Sequence, residues 1–410
     1  MKNENLGGTV NPTADQHGHH WYPLSVLLYK SLLVSLMPKH HSVLIIGGVL
    51  CFNHSSMIST LVCALLAQST FPSINSRHLP PSKSDFWFVA LGDNRPAGPG
   101  LPPTHTFREL LQEIGTIGPE FILSSGDLLY GNEETLGQYK QEIAWMKPLI
   151  ATLPCPFFNA PGNHEINNRQ DFYTAYTNAF GASYGSFDFG GFRFVAVCTE
   201  LPAEKPSIFG AQLAWLKKTL NAQLPAVVFQ HHPVFVRESN SEKETAHVDQ
   251  SAMIHKIYLQ GGVKMVVEGH DHIYNAQVHD GIDYRISGGA GAPMDGDPEE
   301  GGFHHFLLIH AHDGKLDPTV VPSGTLETVP LHDGVEAVCD YANIDLPLTN
   351  LLIKTRFKPA SVAAIYTTKK KKSVSVEAAI RSTRKIDGGY ETQIALVAPR
   401  AHATIIKLMP

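Results

Sequence analysis

Five short polar motifs, each standing directly after an apolar run, constrain this chain more than any other feature. They are Gly92-Asp93-Asn94-Arg95, Gly126-Asp127-Leu128-Leu129-Tyr130, Gly162-Asn163-His164-Glu165, Gln230-His231-His232-Pro233 and Gly269-His270-Asp271-His272. The runs before them are 85–91, 120–123, 157–158, 226–229 and 264–267. Short apolar runs bounded by turn residues read as buried strands, and in α/β sheets ligands collect beyond the carboxyl ends of the strands. One Gly-Asp or Gly-His pair is an ordinary turn signal. Five in this shared context must bring five polar clusters to one edge of one core. Together they supply Asp, Asn, Tyr and His, the hard oxygen and imidazole donors that hold two metal ions side by side.

Between the motifs the pattern alternates. Residues 104–114 and 133–150 have helical periodicity, and Gln212 to Leu220 reads as an amphipathic helix with Leu213, Leu216 and Leu220 on one stripe. Residues 187–189, 192–197 and 284–286 read as strands. The expectation is an α/β core. Beyond about Pro318 the helical pattern stops. Residues 363–377, interrupted by the lysine run 369–372, and the turn Asp387-Gly388-Gly389 before 393–397 read as hairpins of a small β-sandwich-like module. The lysines read as a solvated hairpin tip.

In order and composition, the motif set from about Asp85 to about Ala311 resembles the calcineurin-like metallophosphoesterase superfamily, and Asp127 with Tyr130 resembles its purple acid phosphatase branch. The resemblance implies two packed mixed β-sheets flanked by helices, a four-layer sandwich. It also implies two metal ions about 3.5–4 Å apart, with Asp127 bridging them. The first ion would take Asp93, Tyr130 and His272, and the second Asn163, His231 and His270. His164 would be the catalytic histidine beside the metals, stabilising the transition state or protonating the leaving oxygen.

One position departs from the pattern. Many members carry Asp-x-His in the first motif; here the third residue is Arg95. Tyr130 can replace the missing ligand as a phenolate suited to ferric iron, which gives Fe(III) paired with zinc, manganese or iron. The alternative makes Tyr130 an ordinary packed side chain and leaves water to complete the first site. Arg95 either forks onto phosphate oxygens or holds its loop through a salt bridge. His232 is expected to point away from His231, because adjacent strand residues face opposite ways; it is assigned to substrate or to loop orientation. Asp271 is expected to fix an imidazole tautomer behind the ligands. Asn94 and Glu165 are left with turn and supporting duties.

Length and composition place this unit inside a larger chain. With 410 residues and 43% hydrophobic content, two folded regions are expected rather than one. The boundaries read as 1–84 for an N-terminal extension ending in a Pro/Ser-rich linker, 85–317 for the catalytic domain and 318–410 for the β module. The extension holds two apolar stretches, 42–52 and 57–67, each shorter than the ~20 residues that span a bilayer. With Lys39 before them and Ala67-Gln68-Ser69 after, they read as a secretory signal of a secreted or periplasmic protein, or alternatively as one imperfect membrane anchor. His17, His19 and His20 read as a solvated tail, His304, His305 and His310 as packing residues of a strand, and His247 as a loop residue after the fourth motif. Cys155, Cys198 and Cys339 show no CxxC spacing, and Cys155 and Cys198 read as buried small hydrophobes. The formal charge of −6 offers no basic footprint for nucleic acid.

The function expected is hydrolysis of a small phosphomonoester by metal-bound hydroxide. A phosphodiesterase or nucleotide hydrolase of the same superfamily is the alternative, since substrate loops such as Arg237 to Gln250 carry no decisive signal. A surface binding protein in which the metals only stabilise the fold is the third reading, and the complete ligand set argues against it.

Overall fold

The computed structural model describes residues 43–46, 49–52, 71–166, 168–203, 206–221, 223–236, 248–331, 334–339, 350–367, 372–396 and 404–410. The histidines of residues 17–20, the apolar stretch 57–67, the loop segment 237–247 with His247, and lysines 369–371 lie outside these. Within residues 1–67, a unit of its own, β1 (Val43–Ile46) pairs antiparallel with β2 (Val49–Phe52).

From Phe71 onward the chain builds two stacked mixed sheets. The first runs β13 (Lys315–Pro322), β12 (His305–His312), β3 (Phe86–Leu91), β4 (Ile122–Ser124), β5 (Phe157–Asn159). Its strands β3, β4 and β5 are parallel, and β12 joins β3 antiparallel. The second runs β10 (Tyr274–His279), β11 (Ile282–Ser287), β9 (Val263–Glu268), β8 (Ala226–Phe229), β7 (Phe192–Ala196), β6 (Gly185–Phe189), with β11, β9, β8 and β7 parallel.

Strand alternation builds the layers. Phe86, Phe88 and Ala90 of β3 face Phe194, Phe229 and Met265 of the other sheet in one apolar cluster. Val89 and Leu91 face the opposite way, onto α1 (His105–Ile117), α2 (Leu136–Ala151) and α4 (Gln170–Phe180). The outer face of the second sheet, with Val195, Val228 and Val266, is covered by α5 (Gly210–Thr219) and α6 (Ser251–Gln260). The result is the four-layer α/β/β/α sandwich. Caps place the helices: Thr104 accepts from Phe107 N at the start of α1, and Thr135 with Gln138 forms a capping box on α2. On α5 the buried polar side chain is Gln212, which exchanges hydrogen bonds with both backbone groups of Cys198, while Leu213 is only partly buried.

Two boundaries fall elsewhere than composition suggests. The Pro/Ser-rich segment expected as a linker belongs to the sandwich: Phe71 packs on Phe158 and Phe229, and Asn75 accepts from Phe157 N and donates to Cys155 O. At the other end β13 carries the first sheet through Pro322, past residue 317. The strands after it form two antiparallel sheets. One is β14 (Leu326–Leu331), β15 (Gly334–Cys339), β21 (Thr404–Met409), β17 (Ser361–Thr367), β18 (Ser373–Val376), and the other β16 (Asn350–Thr355), β20 (Gly389–Leu396), β19 (Ala378–Ile386). Leu351, Ile353, Ile394, Ile406 and Leu408 join the apolar cluster of α1 and α2. Glu113 of α1 accepts hydrogen bonds from Gly324 N and Leu326 N, tying the helix to the turn between β13 and β14.

Candidate metal centre

Every motif stands where a parallel strand ends: Asp93 after β3, Asp127 after β4, Asn163 after β5 at the start of α3 (Asn163–Ile166), His231 after β8, and His270 and His272 after β9. The glycines let these loops touch. A methyl on Gly162 would lie 2.2 Å from Asp127 Oδ1, and Gly126, at φ +100, abuts Gly162 backbone. Asp93, Asp127 and His270 themselves have left-handed backbone, at φ 58, 55 and 73. Asp and His are among the side chains that tolerate this region.

Backbone hydrogen bonds join the loops pairwise. Asp93 N donates to Gly126 O, Gly269 N to His231 O, and Ala290 N to Gly92 O. His270 N donates to both oxygens of Asp93, and His164 N to Asp127 Oδ1. Glu165, given only a supporting duty from the sequence, accepts from Asp127 N, Leu128 N and Gly162 N, so one buried carboxylate clamps the second motif to the third.

The candidate ligands converge. Asp93, Asp127 and His231 each bring a donor atom within 4.8 Å of the others. His231 Nε2 lies 2.8 Å from Asn163 Oδ1, 3.3 Å from His270 Nδ1 and 3.4 Å from Asp127 Oδ1. His272 Nε2 is 3.6 Å from Asp93 Oδ1. Neighbouring ligands on one ion, at ~2.0–2.2 Å from it, sit ~3.0–3.5 Å apart. The donor chemistry agrees: Nδ1 of His231 donates to Ser125 O and Nδ1 of His272 to Pro293 O. Their Nε2 atoms therefore carry lone pairs, and His231 Nε2 faces the Asn163 oxygen with no proton between them. A cation satisfies that arrangement. Tautomers expected to depend on Asp271 are thus set at these two histidines by backbone carbonyls.

The electrostatics point the same way. Burial, and the Asp127 charge beside it, push the Asp93 carboxyl well above the usual range. Burial would also raise Asp127, but His164 and His231 hold it below that range. Burial lowers His231 to about 4 and, with His232 and His231 beside it, lowers His270 also. The imidazoles are neutral at physiological pH, as ligation requires. Asp93, Asp127, Asn163, His231, His270 and His272 fit two adjacent cations.

Around this set stand the remaining residues. Arg95 Nε lies 3.9 Å from Asp127 Oδ2, with the guanidinium 5.4 Å from the centre of the Tyr130 ring. His164 Nε2 is 3.7 Å from the same Asp127 oxygen; its Nδ1 donates to Tyr130 O and its ring lies 5.6 Å from the Tyr130 ring. Tyr130 is therefore held between the two groups that flank Asp127. His232 does not point away: its ring stacks on His270 at 4.1 Å, and it joins His231 and His270 in a second cluster of donor atoms. Both histidines lie past the end of β8, where strand alternation no longer applies.

Three supports escaped sequence reasoning. Asn132 Nδ2 lies 3.2 Å from His164 Nε2. Glu200 holds His232 through Nδ1 and accepts from Thr199. Glu142 accepts from Tyr130 N, and with Glu134 it shares Gly100 N. Asn132 stands two residues past Tyr130 and Glu200 just past a strand end, positions that could have flagged both.

A two-sheet sandwich with hard oxygen and imidazole donors along its shared carboxyl edge offers the donor set that two adjacent metal ions need. Residues 83–274, a little under half of the chain, match the family model for calcineurin-like phosphoesterases. The chain is similar to the serine/threonine-protein phosphatase CPPED1 of Danio rerio, with 27% identity over 210 residues, 46% of this chain and 66% of that protein. It is similar also to CPPED1 of Homo sapiens, with 28% identity over 195 residues, 44% of this chain and 62% of that protein. The chain thus spans less than two thirds of the length of these relatives. Among solved structures it resembles a dimetal phosphatase from Danio rerio, at TM-score 0.45 and 14% identity, covering 58% of this chain and 96% of that one. It also resembles GAP50, the anchor in the inner membrane complex of Plasmodium, at TM-score 0.44 and 15% identity, covering 59% and 86%.

Proposed function

We propose that this chain hydrolyses phosphomonoesters at a centre where Asp93, Tyr130 and His272 would hold one metal ion, Asn163, His231 and His270 a second, and Asp127 would serve both. The observation that carries the reading is the approach of both Arg95 and His164 to the same Asp127 oxygen, Oδ2. The ions, when bound, supply positive charge to the phosphoryl oxygens and the nucleophile. Arg95 adds a guanidinium that can fork onto the extra anionic oxygen that a monoester has and a diester lacks. His164, with Nδ1 fixed on Tyr130 O, presents Nε2 to hold or pass a proton at the leaving oxygen. Buried His232 lines the same edge and orients substrate from the second ion's side. The relatives' name, serine/threonine-protein phosphatase, describes the same bond type, and a phosphoserine or phosphothreonine substrate fits this reading.

Metal analysis together with turnover of p-nitrophenyl phosphate, bis(p-nitrophenyl) phosphate and a phosphoserine peptide tests the proposal. Two metals per chain and faster monoester turnover are expected; diester turnover that is faster, with Arg95→Ala leaving the ratio unchanged, overturns it. The metal identities, ferric iron with a divalent partner, rest on Tyr130 alone. An iron-loaded protein should show a visible charge-transfer band that Tyr130→Phe abolishes, and a colourless iron-replete wild type removes iron from the reading. Export from the cytoplasm completes the proposal on the strength of the two N-terminal apolar stretches; fractionation of expressing cells that finds only cytosolic protein removes it.

A further inference from the structure

The face where the catalytic helices meet the β module holds a cavity of about 320 Å³ that shares no residue with the metal centre. Leu111 and Leu153, both buried, line it with Leu149 and Leu352, and the exposed Arg108 and Lys354 line it beside the neutral polar Gln112, Thr116 and Thr152. No acidic side chain lines it. The nearest carboxylates on α1 are engaged elsewhere, Glu113 by Gly324 N and Leu326 N and Glu109 by His105. The cations are lightly held: Arg108 uses Nε on Pro103 O, and Lys354 reaches Thr152 O at 3.4 Å.

From these observations we infer that the cavity is a binding site for a small amphiphilic anion, one carboxylate head on an aliphatic body. The volume lies at the small end of ligand pockets, ~300–1,000 Å³, which suits a medium-chain acid better than a nucleotide or a peptide. The leucines take the chain and the two cations take the head, the division of labour that fixes orientation in such sites. The inference is independent of what the metal centre hydrolyses.

Isothermal titration of the full chain with octanoate tests the site, with acetate and 1-octanol as probes lacking the tail or the charge. Saturable binding at one octanoate per chain is expected, with at least tenfold weaker binding of either control. Lys354→Glu and Arg108→Glu should each weaken octanoate binding at least tenfold, and Leu352→Trp, which fills the cavity, should abolish it. Hydrogen exchange should slow on α1 and β16 when octanoate is present. Absence of saturable binding to the wild type overturns the inference. So does octanol binding as tightly as octanoate, or binding that all three variants leave unchanged.

Discussion

Glu165 offers the most direct test of how the loops hold the centre. Its Oε2 accepts from Asp127 N at 3.0 Å and from Gly162 N at 2.9 Å, while Oε1 accepts from Leu128 N. Glu165→Gln keeps the shape and removes one acceptor. The better orientation leaves the amide oxygen on the two donors of Asp127 and Gly162 and turns an NH2 group toward Leu128 N. One buried N–H then lacks a partner, at a cost of about 1–3 kcal/mol. Glu165→Ala strands all three donors at a multiple of that cost, a large part of the ~5–15 kcal/mol that holds a typical domain together. Denaturant unfolding read at two probes should show the Gln variant destabilised by that amount. Because Asp127 sits in left-handed backbone that this clamp secures, metal affinity should fall along with stability. A Gln variant within about 0.5 kcal/mol of wild type, with full metal content, would refute the clamp.

Asp127→Asn should remove at least ten times more activity than Arg95→Ala and should also lower metal content, measured on the same preparations; equal effects would end the bridging assignment. His164→Ala should lower turnover roughly 10²–10⁴-fold with metal content intact, and Asn132→Ala should lower turnover less, again without metal loss. Loss of metal from the His164 variant would make that residue a ligand. Glu113 adds a pH dependence: burial raises its carboxyl from 4.5 to about 7 although Gly324 N and Leu326 N oppose the rise. Folding therefore favours the protonated form, so its contribution is full below about pH 4.5 and is lost as pH rises through 7, at most about 3 kcal/mol. Unfolding curves of wild type and Glu113→Gln across pH 4.5–8 should diverge by that component, and parallel curves would remove it.

Much of the two-sheet core was legible because strand ends and the polar residues just past them are local signals. An apolar run followed by Gly-Asp or Gly-His names both the strand and the residue just past it, and the alternating patterns of Phe192 to Val197 and Ser373 to Glu377 name hairpin strands directly. What sequence could not show was long-range. Glu200 meets His232, and Glu142 meets Tyr130 N, only because separate loops converge at the sheet edge. His232 was misdirected by applying strand alternation one turn too far. The segment from Phe71 to Ser84 has the composition of a tether, and only the ring contacts of Phe71 reveal it as packed.

The place of β21 carries a consequence for biosynthesis. Residues Thr404–Met409 lie between β15 and β17, in the middle of their sheet. Ile406 and Leu408 complete the apolar layer that also covers α1 and α2. During translation, at ~5–20 residues per second, the five motif loops leave the ribosome first, while the helices behind the first sheet stay partly uncovered until β21 has been made. A nascent chain stalled anywhere before residue 404 would display that greasy surface, and chaperones that survey emerging polypeptides should engage it there.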